Sequence, residues 1–146
     1  MRVRDVMTRL PLCCTPDTAI TDAAYLMAER DCGAIPVVGD LIHRKPIGIV
    51  TDRDIVTRTI AKGLDPMRLT VRDCMTAPAV TIGEHARMSE CVELLELTQI
   101  RRVIVVDASG ACSGVVAQAD IARHASKRKT GDLVREVSRP AAPALA

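Results

Sequence analysis

The hexapeptide VRDVMT at residues 3–8 recurs with one change as VRDCMT at residues 71–76. The same offset aligns the apolar stretches that follow. After a loop that is two residues shorter in the second half, GIVTDRDI at 48–55 aligns with GVVAQADI at 114–121. Self-similarity that extends over half of a chain indicates a tandem duplication, so the fold is expected to consist of two related units.

Each half has the same predicted order of elements: a short strand, a helix, two strands and a second helix. In the first half, apolar residues at helical spacing indicate a helix over 16–31, and the β-branched runs AIPVVG and PIGIVT indicate two neighbouring strands. Helical periodicity returns at Asp52 and stops at Gly63, a plausible C-cap. The second half predicts a helix at 87–98, strands at 102–106 and 113–117, and a helix from 118 to about 127.

A half of about 60 residues buries too little apolar surface to be stable alone. We therefore expect an α/β (α+β) fold in which two pseudo-symmetric β-α-β-β-α repeats pack through their sheets. Repeat 1 is expected at residues 1–62, a linker at 63–70 and repeat 2 at 71–128. Residues 129–146 are expected to form a flexible tail, because the last stretch is rich in Pro and Ala without apolar periodicity.

Composition excludes several classes of partner. The chain is 48% hydrophobic and 26% charged with a formal net charge of +2, which gives no overall attraction to nucleic acid or anionic lipid. It has one Tyr and no Phe or Trp, so it lacks the aromatic platforms on which single-stranded nucleic acids stack. No run approaches the roughly 20 apolar residues that span a bilayer, and the N-terminus lacks an apolar signal region. A cytoplasmic location is expected.

Six cysteines occur without C-x-x-C spacing, and the three histidines show no metal-ligand spacing. Cys32 and Cys91 lie among apolar residues and are expected to be structural thiols, whereas Cys13 and Cys14 are candidates for reactivity. No nucleophile-base set or paired carboxylates with an acid-base task are visible, so we predict neither a metal site nor an enzyme.

The junction between strand and helix in GIVTDRDI contains the residues best suited to bind a ligand. Thr51 ends a predicted strand and Asp54 lies in the first turn of the next helix, where backbone N–H groups and the helix dipole favour an anion. Asp54 can accept hydrogen bonds from both hydroxyls of a ribose, and Arg53 can contact a phosphate. The alternative is that Thr51 or Asp52 only caps the helix, with Asp54 as a carboxylate favourable to the dipole.

The two repeats resemble the cystathionine-β-synthase (CBS) domain pair, or Bateman module. The likeness rests on the D-V-M-T and D-C-M-T openings, the strands GAIPVV and RRVIVV, and the G-h-x-T-x-x-D pattern in GIVTDRD. It implies a regulatory module of the stand-alone bacterial type that controls an unidentified protein. It also implies an adenosine-containing ligand between the repeats, AMP, ADP or ATP, with NAD or S-adenosylmethionine as alternatives, and no required cofactor.

The resemblance implies two clefts, each built from both repeats. The Asp54 cleft would contain Thr51, Arg53, Asp54, Arg101, Arg102 and Val103. The Asp120 cleft would contain Thr15, Ala34, Ile35 and Asp120. In repeat 2, Ala117 and Ala119 replace the Thr and Arg of the motif. Because a hydroxyl and a cation are missing there, the Asp54 cleft is expected to bind phosphorylated adenosine better.

Two other functions stay open. The chain can be an interaction or scaffold protein that kept the fold without the ligand, or a thiol-based stress sensor. A homodimer is also expected, since amphipathic helices leave an apolar face that the sheets do not cover. The helices that open at Thr18, Asp52, Arg87 and Gln118 would supply this contact.

Overall fold

A computed structural model describes residues 1–140, and it confirms the predicted mixed α/β class. Repeat 1 contains β1 (Thr8–Arg9), α1 (Ile20–Arg30), β2 (Ala34–Val38), β3 (Pro46–Thr51) and α2 (Asp52–Arg58). Repeat 2 contains β4 (Thr81–Gly83), α3 (Met88–Thr98), β5 (Arg102–Val106), β6 (Cys112–Ala117), α4 (Gln118–Ala122) and α5 (Lys127–Val137).

The two repeats exchange their first segments. β1 precedes the core of repeat 1 but pairs antiparallel with β6, which gives a sheet in the order β1-β6-β5-β4. In return, Thr76 at the start of repeat 2 exchanges two backbone hydrogen bonds with Ile49 in β3, at 2.9 and 2.8 Å. The sheet of β2 and β3 is thereby extended by repeat 2. Neither repeat completes its sheet alone, which fits the expectation that the halves fold together.

Two glycines permit this exchange. A Cβ built on Gly48 would meet the carbonyl oxygen of Thr76, and one built on Gly114 would meet the side chain of Met7. Because a backbone or side chain from the other repeat crosses directly over each glycine, no larger residue fits without displacement. The recurrence of glycine at the start of GIVTDRDI and GVVAQADI therefore has a packing reason.

The hydrophobic core has one cluster in each repeat and a third between the sheets. Repeat 1 buries residues such as Ile20 and Val37, and repeat 2 buries residues such as Leu95 and Val116. The third cluster joins Val38 of β2 to Ile104 and Cys112 of repeat 2. With almost no aromatic residues, this core is built from aliphatic and sulfur side chains.

The C-terminal region differs from the prediction. The helix expected from 118 to about 127 ends at Ala122, and residues 127–137, placed mostly in a flexible tail, form α5. Leu133 and Val137, one turn apart, are buried in the core of repeat 2, which explains why a largely charged segment folds. The predicted tail is therefore wrong up to Val137, and its residues 141–146 lie outside the described residues.

Candidate functional site

The strand-helix joint of repeat 1 forms a complete capping box. The Thr51 hydroxyl accepts a hydrogen bond from the Asp54 backbone N–H at 3.0 Å, and Asp54 Oδ2 accepts one from the Thr51 N–H at 3.0 Å. These contacts satisfy two backbone donors that an α-helix leaves free at its N-terminus. The capping role of the joint is thus realised, with Thr51 rather than Asp52 as the N-cap.

Asp54 is also tied to the start of repeat 2. The Thr76 hydroxyl donates to its carboxylate at 3.4 Å, and the Arg58 Nε lies 3.7 Å from Oδ1. Arg58 in turn donates from Nη1 to the carbonyl oxygen of Met75 at 2.8 Å. The side chain of Asp54 is only 14% exposed. Much of its hydrogen-bonding capacity is therefore used inside the protein.

The equivalent joint in repeat 2 keeps half of this arrangement. Asp120 Oδ2 accepts a hydrogen bond from the Ala117 N–H at 2.8 Å, but Ala117 has no hydroxyl to return it. The Arg123 Nη1 lies 3.7 Å from Asp120 Oδ1. Asp120 is 15% exposed, and its exposed part faces a cavity between the repeats.

This cavity, the Asp120 cleft, has a volume of about 480 Å³. Its walls are the segment 8–12 around β1, the segment 30–35 between α1 and β2, and the β6–α4 joint of repeat 2. Both repeats therefore contribute, and the size suits a small organic ligand. The apolar part of the lining comes from aliphatic side chains such as Leu26 and Val115.

The predicted site residues are redistributed between the two clefts. Ala34, Ile35 and Asp120 line the Asp120 cleft as expected. Thr15 does not line it, because this residue belongs to the turn before α1, where its N–H donates to the Thr18 hydroxyl at 3.1 Å. Arg102, assigned from sequence to the Asp54 cleft, lines the Asp120 cleft instead.

The remaining residues assigned to the Asp54 cleft do not all share a surface. Val103 is buried and pairs with Val116, and the carbonyl of Arg101 accepts the Gln118 N–H at 3.0 Å. Arg53 is exposed at the start of α2. The Asp54 carboxylate contacts Thr51, Thr76 and Arg58.

The charge of the Asp120 cleft is mixed but favours an anion. Its lining residues include three arginines, Arg9, Arg30 and Arg102, and two aspartates, Asp31 and Asp120. Arg9 and Arg30 were not among the residues predicted from the sequence. Arg9 reaches the cleft because β1 pairs with repeat 2, and Arg30 because α1 ends there. An arginine side chain forms charge-assisted, often bidentate hydrogen bonds with phosphate.

A second, larger groove of about 760 Å³ runs between α3 and α5. It is more open to solvent, and its charged lining includes Glu93, Glu96, Asp132 and Arg135. It contains neither strand-helix joint, so it offers no counterpart of the carboxylate-hydroxyl chemistry predicted from GIVTDRDI. The Asp120 cleft is therefore the better candidate for the ligand site.

The cysteines divide by exposure. Cys91 is buried as expected, whereas Cys32 is exposed and lines the Asp120 cleft, so the structural role predicted for Cys32 is wrong. Burial raises the pKa of Cys14 to about 12 and that of Cys91 to about 11. Cys13 is half-buried, and its pKa is lowered to about 7, chiefly by a hydrogen bond with Cys112.

Two further properties concern residues 1–140. No helix among them has the length and apolar character needed to cross a membrane. Within the same residues, no three His, Cys, Asp or Glu side chains are grouped in a way that could hold a metal ion.

Among curated proteins, Hypoxic response protein 1 of Mycobacterium tuberculosis is 34% identical over 141 residues, which covers 95% of each chain. Uncharacterized protein MK0525 of Methanopyrus kandleri is 36% identical over 118 residues, and the match covers 81% of this chain and 57% of that protein.

Solved structures show the same architecture. The crystal structure of Hypoxic Response Protein I with two coordinated zinc ions has a TM-score of 0.76, 36% identity, and coverage of 86% of this chain and 100% of that one. CBSX2 of Arabidopsis thaliana in complex with AMP has a TM-score of 0.69, 27% identity and coverage of 84% and 93%. The CBS domain pair of MJ0100 in complex with 5-methylthioadenosine and S-adenosyl-L-methionine has a TM-score of 0.74, 26% identity and coverage of 84% and 94%.

The model of the CBS domain family matches twice, at residues 3–60 and 71–127. These two segments coincide with the two repeats that exchange their first segments. The chain belongs to the CBS domain family, as a tandem CBS pair.

Proposed function

We propose that this CBS pair is a regulatory protein that binds a phosphorylated adenosine in the Asp120 cleft. The observation that carries the proposal is the position of Asp120 beside three arginines in one cavity shared by both repeats. A carboxylate can accept hydrogen bonds from the two ribose hydroxyls, and guanidinium groups can bind the phosphates. AMP in CBSX2 and S-adenosyl-L-methionine in MJ0100 support an adenosine-containing ligand.

The structure changes which cleft we favour. The sequence led us to expect stronger binding at the Asp54 cleft, because Thr51 and Arg53 have no counterpart in repeat 2. The Thr51 hydroxyl instead caps α2, and Asp54 is engaged by Thr76 and Arg58. The repeat 2 motif lacks one cation, because Ala119 replaces the arginine, but Arg9, Arg30 and Arg102 line the Asp120 cleft.

The proposed role is regulation in the cytoplasm, without catalysis by the pair itself. Binding of AMP, ADP or ATP between the repeats would fix their relative position and so report energy state, or redox state if NAD binds, to a protein that the pair regulates. A scaffold role without ligand is the competing proposal; the charged, solvent-accessible Asp120 cleft argues against it. The pair formed by half-buried Cys13 and buried Cys112 favours a thiol sensor as an additional property.

A homodimer remains part of the proposal. The helices expected to form the contact are not equivalent, because α5 packs on α3 and α4 and covers part of that face. In repeat 1, Tyr25 of α1, Val56 of α2 and the following Ile60 are exposed. We place the dimer contact on this helical layer, and light scattering that showed a monomer at micromolar concentration would contradict it.

A thermal-shift panel tests the proposed function. AMP, ADP, ATP, NAD and S-adenosylmethionine would be compared with adenosine, which lacks phosphate, and with GMP, which has a different base. A ligand at 100 times its Kd stabilises a protein by about 2.7 kcal/mol, which raises the Tm by several degrees at this size. We expect an adenine nucleotide to give such a shift and adenosine to give less.

Two variants locate the effect. Arg102→Ala should reduce the shift caused by the nucleotide, whereas Arg128→Ala, which changes an exposed charge on α5 outside the cleft, should not. If no adenosine compound shifts the Tm of the wild type at millimolar concentration, the proposed function is wrong.

A further inference from the structure

Cys13 and Cys112 bring one thiol from each repeat to the centre of the molecule. Cys13 follows the β1 segment of repeat 1, and Cys112 is the first residue of β6 in repeat 2. Both side chains pack in the cluster between the sheets with Val38 and Ile104. Both thiols are free, and their place in this shared cluster brings the two side chains together.

Arg44 forms hydrogen bonds near both thiols. Its carbonyl oxygen accepts the Cys112 N–H at 2.8 Å, and its Nη2 donates to the carbonyl oxygen of Pro11 at 3.1 Å. The Cys13 Sγ lies 3.6 Å from that same Pro11 oxygen. The guanidinium is therefore held near Cys13, where its positive charge favours the thiolate.

The pair is polarised into an ionisable thiol and a protonated one. The hydrogen bond from Cys112 is the main reason that the pKa of Cys13 falls to about 7; burial opposes this effect and Arg44 adds to it. The same hydrogen bond and burial raise the pKa of Cys112. Near neutral pH Cys13 therefore ionises more readily than an ordinary thiol, and its thiolate is the reactive form, whereas Cys112 keeps its proton.

We propose that hydrogen peroxide converts Cys13 and Cys112 into an intramolecular disulfide that links the two repeats. The Cys13 thiolate attacks one peroxide oxygen, the O–O bond breaks, and the leaving hydroxide takes a proton to become water. Cys112 then attacks the sulfur of the resulting Cys13 sulfenic acid. An S–S bond forms, the S–O bond breaks, and the hydroxyl leaves as water with the Cys112 proton. Two thiols are oxidised, and the peroxide is reduced to two molecules of water.

The disulfide would act close to the Asp120 cleft. Residues 8–12, which form one wall of that cleft, directly precede Cys13. A bond to β6 would fix the end of this wall on repeat 2. Formation of the disulfide does not depend on the proposed nucleotide binding, so the two proposals can fail separately.

The test is peptide mapping by mass spectrometry of the whole protein after treatment with peroxide at pH 7.5. Fragmentation must distinguish Cys13 from its neighbour Cys14. We expect a Cys13–Cys112 crosslink within one chain, the loss of two of the six free thiols, and full reversal by dithiothreitol. A Cys13–Cys14 bond, a crosslink between chains as the main product, or no crosslink at all would overturn the proposal in the wild type, whatever the variants do.

Three variants refine the result. Cys32→Ser removes the exposed thiol and should leave the crosslink unchanged. Cys13→Ser should abolish it. Cys112→Ser should stop the reaction at a Cys13 sulfenic acid, which dimedone traps. If Cys112→Ser left the rate of Cys13 alkylation and its dependence on pH unchanged, the proposed polarisation of the pair would be wrong.

Discussion

Replacement of Asp120 by Asn tests the assignment of the ligand site to the Asp120 cleft. The amide has the same shape as the carboxylate and retains an oxygen that can accept the Ala117 N–H, so α4 keeps its cap. The negative charge that would bind the ribose hydroxyls is lost. The variant therefore isolates ligand binding from folding.

The expected loss follows from the type of hydrogen bond. A hydrogen bond to a charged group contributes about 1.5–3 kcal/mol and a neutral one about 0.5–1.5 kcal/mol, so each ribose hydroxyl loses roughly 1 kcal/mol or more. Two such bonds correspond to AMP binding that is roughly tenfold to a hundredfold weaker. 2′-Deoxy-AMP can form only one of the bonds, so Asp120→Asn should weaken it less than AMP.

Asp54→Asn is the matched control, since it changes the equivalent residue of repeat 1. Its carboxylate is bound to Thr51, Thr76 and Arg58, so this variant should lower the free energy of unfolding and leave the affinity for AMP within about threefold. Isothermal titration calorimetry of the wild type and both variants with AMP and 2′-deoxy-AMP gives the comparison. A larger loss of affinity in Asp54→Asn than in Asp120→Asn would refute the reasoning and restore the Asp54 cleft.

Three predictions concern stability. Leu133→Ala should lower the free energy of unfolding by about 2–5 kcal/mol in urea, because it opens a cavity where α5 meets the core of repeat 2. Gly48→Ala should cost about 1–3 kcal/mol, because its Cβ would meet the Thr76 carbonyl. The free energy of unfolding should also fall between pH of about 8.5, where an unfolded thiol ionises, and about 11, where the buried Cys91 does. The sign follows because the folded protein retains the Cys91 proton in that range and the unfolded chain releases it.

Each stability prediction has its own control. Val134→Ala changes the neighbouring, partly exposed residue of α5 and should cost much less than Leu133→Ala; equal losses would mean that α5 is not docked. At Gly39 a Cβ has open space, so Gly39→Ala should be milder than Gly48→Ala. Stability that stayed level up to pH 10 in the wild type, with Cys91→Ala as the reference, would contradict the assigned burial of this thiol.

The duplication made most of the fold accessible from the sequence. The repeat of VRDVMT, the paired strands and the glycines at 48 and 114 all follow from one unit used twice. The helix α5 was missed because it occurs once, and because Leu133, Val134 and Val137 are its only large apolar residues. Their spacing is helical, but a charged segment with so few apolar residues is equally typical of a solvated tail. Only the structure shows that α3 and α4 provide a surface on which these residues pack.

The site was only partly predictable for a similar reason. Asp120, Ala34 and Ile35 were assigned to one cleft by the resemblance to the CBS domain pair. Arg9 and Arg30 enter the cleft through the exchange of β1 and the end of α1, which are tertiary relations that local patterns do not contain. The Asp54 motif was preferred from the sequence because Thr51 offers a hydroxyl there, and the sequence does not show that this hydroxyl caps α2.

The environment of each thiol also depends on tertiary contacts that the sequence does not show. The sequence singled out Cys13 and Cys14 because they are adjacent, but the structure separates them by burial and pairs Cys13 with Cys112 from the other repeat. Cys32 follows Asp31, which ends α1 in the left-handed conformation at φ 48°. This turn places Cys32 on the surface instead of in the core.

A crystal structure of the protein grown with AMP would show whether an adenine nucleotide binds between the repeats beside Asp120. We predict one nucleotide per chain in the Asp120 cleft, with the ribose hydroxyls on the Asp120 carboxylate and the phosphate among Arg9, Arg30 and Arg102. AMP bound at Asp54 with the Asp120 cleft empty, or no AMP in either cleft at a concentration that saturates the thermal shift, would contradict the claim.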